Sequence, residues 1–237
     1  MFDSLRYRFR RLFSGSSVKL LSIGMEESYA GSCGGAGKGT RRLFNRIKPR
    51  CKYSKLLLDS EATKDNVIRE MSKVCDSDLA IITYCGHGGQ QSGRTNETDG
   101  KDEFIALYDH PMLDNEVWKI VSRAKGRVFM IFDCCHSETM FCDNWRHARD
   151  FVAIAGLPTN SIDLICWASC AENQVGYSIP GAGGVFTSSI LRNIDAGDTY
   201  FDAWTKISRD SRLAQYEIAK FTILRQDTGF KGKKLFS

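Results

Sequence analysis

A mixed α/β domain built on a mostly parallel sheet is the fold class that the sequence predicts, and three observations predict it. Strand-like apolar runs alternate with segments of helical spacing from Val18 onward, the pattern of a sheet covered on both faces. Val128-Phe129-Met130-Ile131-Phe132 is apolar on both of its faces, as a central parallel strand must be, and Leu79-Ala80-Ile81-Ile82-Thr83-Tyr84 has the same character. Each run then ends in reactive chemistry, Asp133-Cys134-Cys135-His136-Ser137 after the first and Cys85-Gly86-His87-Gly88-Gly89 after the second. Open α/β sheets bind ligands beyond the carboxyl ends of their strands. The two ends are therefore expected to meet, with His87 and Cys135 as a catalytic pair.

The elements follow in order. Val18 to Ile23 reads as the first strand, Tyr29 to Gly39 as a glycine-rich loop, and Thr40 to Ile47 as a helix that Pro49 ends. Lys55 to Leu58 is a short strand. Thr63 is the N-cap of a helix with Val67, Ile68, Met71 and Val74 at helical spacing. After the strand Leu79 to Tyr84, the stretch Gly89 to Gly100 is polar and reads as a surface loop. Phe104 to Tyr108 is a strand, and Asp114 caps a helix carrying Val117, Ile120 and Val121. Ser137 to Asp150 reads as a short helix and loop. Ile162 to Ala168 is a strand that leads into Ser169-Cys170-Ala171-Glu172. Gly183 and Gly184 precede a helix from Val185 to Asn193, Tyr200 to Gln215 is a further helix, and Phe221 to Leu224 is a last strand. Ser14-Gly15-Ser16-Ser17 reads as a linker, which divides the chain into a basic arm (1–17) and one domain (18–237).

With 237 residues the chain is long enough for one domain with a buried core. Hydrophobic residues are 42% and charged residues 26%, ordinary for a soluble globular protein. No apolar run approaches the roughly 18 residues of a membrane span. The first seventeen residues hold no apolar core of the kind a secretory leader carries. The nine cysteines are odd in number and irregularly spaced, which favours reduced thiols in a cytoplasmic setting over a disulfide framework. The charge of +5 is uneven, since residues 1–50 hold eleven Lys/Arg against three acids. The arm reads as a solvated basic segment. A second reading takes Leu5, Phe9, Leu12 and Phe13, interleaved with Arg6, Arg8, Arg10 and Arg11, as a helix for a membrane surface or a partner. A transit segment is a third reading, weakened by Asp3. No nucleic-acid partner is expected, and the protein is expected to be a monomer.

A thiol attacks as its thiolate, and a free Cys with a pKa of about 8.5 is mostly protonated at neutral pH. An adjacent imidazole takes that proton and later returns it to a leaving amine. Glycine on both sides of His87 lets a substrate backbone approach closely. It also frees the Gly88 N–H to face a tetrahedral intermediate together with the Cys135 N–H. Such oxyanion donors are worth roughly 3–4 kcal/mol each in proteases. A lone thiol at a strand end is more often a packed small hydrophobe; the specific signal is the pairing of two strand ends.

These motifs resemble those of the metacaspases. Tyr84-Cys85-Gly86-His87-Gly88 is similar to that family's Tyr-Ser-Gly-His-Gly. Asp133-Cys134-Cys135-His136-Ser137 is similar to its Asp-x-Cys-His-Ser-Gly, in which the Cys before His is the nucleophile. Ala62-Thr63-Lys64-Asp65-Asn66-Val67 resembles its Ala-Thr-x-x-Asn-Ile helix, and Asp99-Gly100-Lys101-Asp102-Glu103 its Asp-Gly-Tyr-Asp-Glu segment. Gly184-Val185-Phe186-Thr187 resembles its Gly-Ala-Phe-Thr helix start, so the likeness covers roughly residues 18–237. His87 lies 48 residues before Cys135, against roughly 50 in caspases.

The resemblance implies a caspase-like three-layer sandwich and a cysteine endopeptidase that cuts proteins after Arg or Lys, with Cys135 as nucleophile and His87 as base. It puts Asp133 in the place of the family's pocket acid, Cys85 in that of its pocket Ser, and Cys33 in that of a Cys on a pocket loop. An acid in that pocket attracts a basic side chain by charge-assisted hydrogen bonds. Ala36 falls where the family has a second pocket Asp, for which Glu172 is a candidate replacement, and Glu138 stands where the family has Gly. The resemblance also implies activation by Ca2+, a hard ion with about 6–8 oxygen ligands. Asp102 and Asp114 match that site, Asn115 stands where the family has a second adjacent Asp, and Asp143 is the fourth position. No organic cofactor is expected. A single-chain enzyme is expected, with any self-cleavage near Arg146 or Arg149 or in the basic arm.

Three other readings stay open. A non-catalytic scaffold of the same fold is the serious rival. Gly31 to Thr40 resembles a nucleotide kinase's phosphate loop, but Ser32 stands where that motif needs Gly and Gly39 follows Lys38. Cys134, Cys135, His136, Cys142 and His147 are a candidate zinc set without the paired spacing of a finger or ribbon.

Overall fold

The computed structural model describes residues 17–92, 101–135, 162–170, 177–179, 183–216, 219–224 and 229–237. The chain opens with β1 (Val18–Gly24) and a small hairpin of β2 (Glu27–Ser28) and β3 (Gly31–Ser32). Helix α1 (Ala36–Ile47), β4 (Tyr53–Leu58), α2 (Lys64–Cys75) and β5 (Leu79–Cys85) follow. A second antiparallel sheet holds β6 (Gly88–Ser92), β7 (Lys101–Ala106) and β8 (Pro111–Leu113). Then come α3 (Asp114–Val121), β9 (Arg127–Asp133), β10 (Leu164–Ala168), and the short pair β11 (Ser178–Ile179) and β12 (Gly183–Gly184). The helices α4 (Val185–Asn193), α5 (Tyr200–Ser208) and α6 (Ser211–Ala214) precede the edge strand β13 (Lys220–Leu224).

The central sheet has six strands in the order β13-β10-β9-β5-β1-β4. Five run parallel, and β13 closes one edge antiparallel to β10. All seven residues of β5 and all seven of β9 are buried, which explains why both read as apolar on both faces. Two apolar clusters flank the sheet. One joins its Ile82, Tyr84, Met130 and Phe132 to Val67, Met71 and Val74 of α2 and Val117 and Val121 of α3. The other joins Ile81, Phe129 and Ile131 to Leu43 and Phe44 of α1, Phe186 and Ile190 of α4, and Ala203 and Ile207 of α5. The result is the expected three-layer α/β sandwich.

Several elements differ from their expectations. Helix α1 begins at Ala36, four residues early, and takes in Gly37 and Gly39. Glycine disfavours a helix interior by about 1 kcal/mol, but here it permits contact: a Cβ on Gly39 would lie 3.3 Å from the Gly183 Cα. Polar Gly88–Ser92 is a strand, not a surface loop, because β7 supplies its hydrogen-bonding partner. The expected helix Tyr200 to Gln215 is broken after Ser208, where Asp210 caps α6 by accepting from the Arg212 N–H. Burial works against the Asp210 charge, but bonds from Ser189 and Arg192 overcome it and hold the carboxyl well below the usual range. The expected helix and loop of residues 137–150 and most of the basic arm lie outside the described residues.

Candidate active site

The sheet register brings the two motifs together. Gly24 pairs with Cys85, and Cys85 pairs with Asp133, at the carboxyl ends of three adjacent strands. His87 and Cys135 each lie two residues beyond the Cys85–Asp133 rung. A further bond from the Gly86 N–H to the Asp133 carbonyl, 3.2 Å, keeps the strands together past that rung. Both side chains are half-buried, as groups at the rim of a cleft would be.

The backbone of His87 is fixed from two sides. Its carbonyl accepts from the Tyr84 hydroxyl at 2.7 Å and from the Ala106 N–H at 2.9 Å. Its ring Nε2 lies 2.9 Å from the Ser32 carbonyl oxygen. A carbonyl can only accept, so Nε2 carries a proton, and in the neutral form of the ring Nδ1 keeps the lone pair. The Ala106–His87 bond also makes Gly88 and Ile105 a non-hydrogen-bonded pair of the β6–β7 ladder. The Gly88 N–H therefore points away from β7. A side chain at Gly88 would collide with Cys135, since a Cβ there would lie 2.4 Å from the Cys135 carbonyl oxygen.

Cys134 and Cys135 divide the roles that adjacent thiols could share. Cys134 is buried, and burial pushes its thiol well up. The Ser169 hydroxyl accepts from the Cys134 N–H at 3.1 Å and stands 3.0 Å from the Cys134 carbonyl, to which it donates. The N–H of Cys135 belongs to the same planar peptide as that carbonyl and points the opposite way. Ser169 thus turns the Cys135 N–H away from β10. Replacing Ser169 by Ala is expected to leave the Cys134 carbonyl without its donor and to destabilise the protein by about 1–3 kcal/mol. A urea denaturation midpoint measures it.

Asp133 lies on the floor, 4% exposed. Its Oδ2 accepts from the Thr187 N–H at 2.8 Å, and the Thr187 hydroxyl and Cys85 thiol bond the same carboxylate. Burial outweighs these donors and pushes its pKa up to about 6. Burial also raises the Cys85 thiol well above its ordinary value, followed by the Asp133 charge. Among the described residues these three donors occupy about three of the carboxylate's four acceptor positions. Cys33 stands beside this floor, half-buried, its thiol bonded to Ser178 and raised by burial and by Asp133. Ala36 is fully buried in the first turn of α1. Glu172 lies outside the described residues.

Ser32, Ser178 and Thr187 are not among the catalytic, pocket or metal residues expected from the sequence. Ser32 acts through its backbone carbonyl, which no side-chain pattern announces. Thr187 did carry a signal, because the motif Gly184-Val185-Phe186-Thr187 marked this helix start.

The positions expected from the sequence to hold calcium are only partly among the described residues. The β7–β8 register, with Phe104 opposite Leu113, carries Asp102 towards the start of α3, where Asp114 and Asn115 sit. Asp102 and Asp114 are both buried. Two carboxylates and an amide oxygen are the donors a hard cation favours, so the residues present fit Ca2+. Asp143 lies outside the described residues, and among those described no three His, Cys, Asp or Glu side chains form a metal-ready group. The eight described cysteines are free thiols. No helix among the described residues is long and apolar enough to cross a membrane.

A six-stranded, mostly parallel sheet with helices on both faces is consistent with the caspase-like α/β fold, and His87 and Cys135 follow two adjacent strands of it. A crystal structure of a Geobacter sulfurreducens protein has the same fold, with a TM-score of 0.71 and 21% identity over 93% of this chain and 98% of its own. Residues 46–143, which hold both His87 and Cys135, match the family model described as metacaspase, peptidase C14 domain. Metacaspase-2 of Trypanosoma brucei brucei is 27% identical over 161 residues, covering 55% of this chain and 46% of its own length. Metacaspase-5 of the same organism is 22% identical over 262 residues, covering 89% of this chain and 51% of its own. Together these matches support a metacaspase-type protein. The chain spans about half the length of the curated relatives it matches.

Proposed function

We propose that the chain is a cysteine endopeptidase that cleaves proteins after Arg or Lys. The observation that supports this reading is the shared Cys85–Asp133 rung, with His87 and Cys135 each two residues past it on adjacent strands. His87 Nδ1 takes the Cys135 proton, the thiolate attacks the scissile carbonyl, and the Gly88 and Cys135 N–H groups receive the oxyanion. The imidazolium returns its proton to the leaving amine, and water, deprotonated by His87, hydrolyses the thioester. The remaining acceptor position of Asp133 attracts a basic side chain, with Cys85 and Cys33 beside it. Wild-type protein is expected to hydrolyse an Arg-terminated fluorogenic peptide at least about 100-fold faster than its Leu-terminated analogue. No hydrolysis of either, with calcium present, would leave the non-catalytic scaffold as the reading.

Calcium activation belongs to the same proposal. Asp102, Asp114, Asn115 and Asp143 would hold the ion, which would neutralise two buried carboxylates and brace the start of α3 against β7. Millimolar calcium is expected to raise hydrolysis about tenfold over excess chelator, a common size for coupling between sites. Equal rates in the two conditions would remove the ion from the account, and Asp114→Ala should abolish any difference.

A further inference from the structure

We infer that Asp59 is a positioning residue for His87, acting through the β2–β3 hairpin; this rests on the peptidase reading above. Asp59 lies just past the end of β4, and Glu26 and Glu27 just past the end of β1, its parallel neighbour. The two strand ends are tied together there. Asp59 Oδ1 accepts from the Glu26 N–H at 2.8 Å and from the Glu27 N–H at 2.9 Å. One oxygen thus holds two successive amides.

The contacts of the two glutamates lead on to the site. The Glu26 carbonyl accepts from the Cys33 N–H at 2.7 Å, and Glu26 Oε1 accepts from the Gly35 N–H at 2.8 Å. Glu27 pairs with Ser32 across the hairpin, and its Oε1 accepts from the Ser32 hydroxyl at 2.8 Å. The Ser32 carbonyl in turn is the partner of His87 Nε2. From Asp59 to the imidazole the chain of contacts is short and made mostly of bonds below 3 Å. It ends on the atom that selects the ring's tautomer. The same contacts place Cys33 beside Asp133.

The backbone of Asp59 is itself unusual. Its φ is 46°, and among the described residues only Asp59 and Phe236 have positive φ without being glycine. Asp and Asn are the side chains that tolerate this region best. A residue here must turn left-handed and present an acceptor to two amides, which Gly, Ala and Ser do not do together. Such strain is held where the surroundings over-determine it, commonly near functional sites.

Three variants separate these requirements. Asp59→Asn keeps both the turn and an accepting oxygen, Asp59→Gly keeps the turn alone, and Asp59→Ala keeps neither. Hydrolysis of the Arg-terminated peptide is expected to fall about 10- to 100-fold in the Gly and Ala variants, mainly in kcat, and to stay within about threefold of wild type in the Asn variant. The ring 15N shifts of His87, assigned by their loss in His87→Gln, should report an Nε2–H tautomer in wild type and in Asp59→Asn. That tautomer should be lost in Asp59→Gly and Asp59→Ala, where the acceptor is gone. Should Asp59→Ala fail to fold, Asp59→Gly decides, since it carries no strain from the left-handed turn. A wild-type tautomer and rate in Asp59→Gly, or an Asp59→Asn variant as impaired as Asp59→Gly, would overturn the proposal. A wild type without hydrolysis, but with a tautomer lost in Asp59→Gly, would overturn the peptidase reading and leave the positioning role standing.

Discussion

Cys135→Ala is expected to abolish hydrolysis of the Arg-terminated peptide, and His87→Ala to lower kcat by about 10²–10⁴-fold, with both variants folded. Neither side chain is in the core; each is half-buried, past the end of its strand. Their removal costs little packing, and the urea midpoint should hardly move. Groups that act as one unit lose activity non-additively. Adding His87→Ala to Cys135→Ala should therefore cost nothing further. Cys134 provides the contrast. It is buried against Gly88, whose added Cβ would lie 3.1 Å from its Sγ, and burial raises its thiol. Cys134→Ala should leave most of the rate and destabilise by about 1 kcal/mol, the size of a small truncation in a packed site. A Cys134→Ala variant that is inactive, beside an active Cys135→Ala, would reverse the assignment of the nucleophile.

Local patterns made the parts of this fold with strong periodicity legible. β5 and β9 carry continuous apolar runs because helices cover both faces of the sheet. Thr63 was readable as a cap, and its hydroxyl does accept from the Asn66 N–H. The helix start at Val185 was readable from the two glycines before it. What stayed hidden was set by partners distant in sequence. Gly37 and Gly39 look like loop residues, and only the backbone at Gly183 explains why a helix carries Gly39. The polar strand β6 has no apolar alternation to betray it, and its pairing with β7 defines it. The candidate pair His87 and Cys135 was legible because chemistry needs particular side chains. The Ser32 carbonyl that orients His87 was not, because it is a backbone atom. The register of Cys85 against Asp133 turns two separate motifs into one site, and register is not written in either motif alone.

Gly184→Ala and Asp133→Asn are expected to damage the floor of the site from its two sides. A Cβ on Gly184 would lie 1.9 Å from Asp133 Oδ2. The carboxylate cannot retreat, since it is 4% exposed and bound to the Thr187 N–H. Overpacking of this kind costs about 1–3 kcal/mol, and here it also pushes on the first turn of α4. In Asp133→Asn the size is kept but the chemistry is not. Among the described residues, the groups on the carboxylate are donors: the Thr187 N–H, the Thr187 hydroxyl and the Cys85 thiol. An amide must turn its NH2 towards one of them, which leaves a buried donor unsatisfied at about 1–3 kcal/mol. The pH dependence separates the two contributions to Asp133. Burial raises its carboxyl from 3.8 to about 6 in the folded protein, so the folded state holds the proton more tightly than the unfolded chain. That contribution to stability is fully present below the unfolded carboxyl value and is lost as pH rises through about 6. The margin of wild type over Asp133→Asn in urea midpoint should therefore widen as pH falls from about 7.5 towards about 4. A margin that narrows over that range would mean that the three donors outweigh burial and that the carboxyl is held down instead. In that case the floor of the pocket is a firmly fixed anion, and the preference for a basic substrate side chain should persist undiminished through mildly acidic pH.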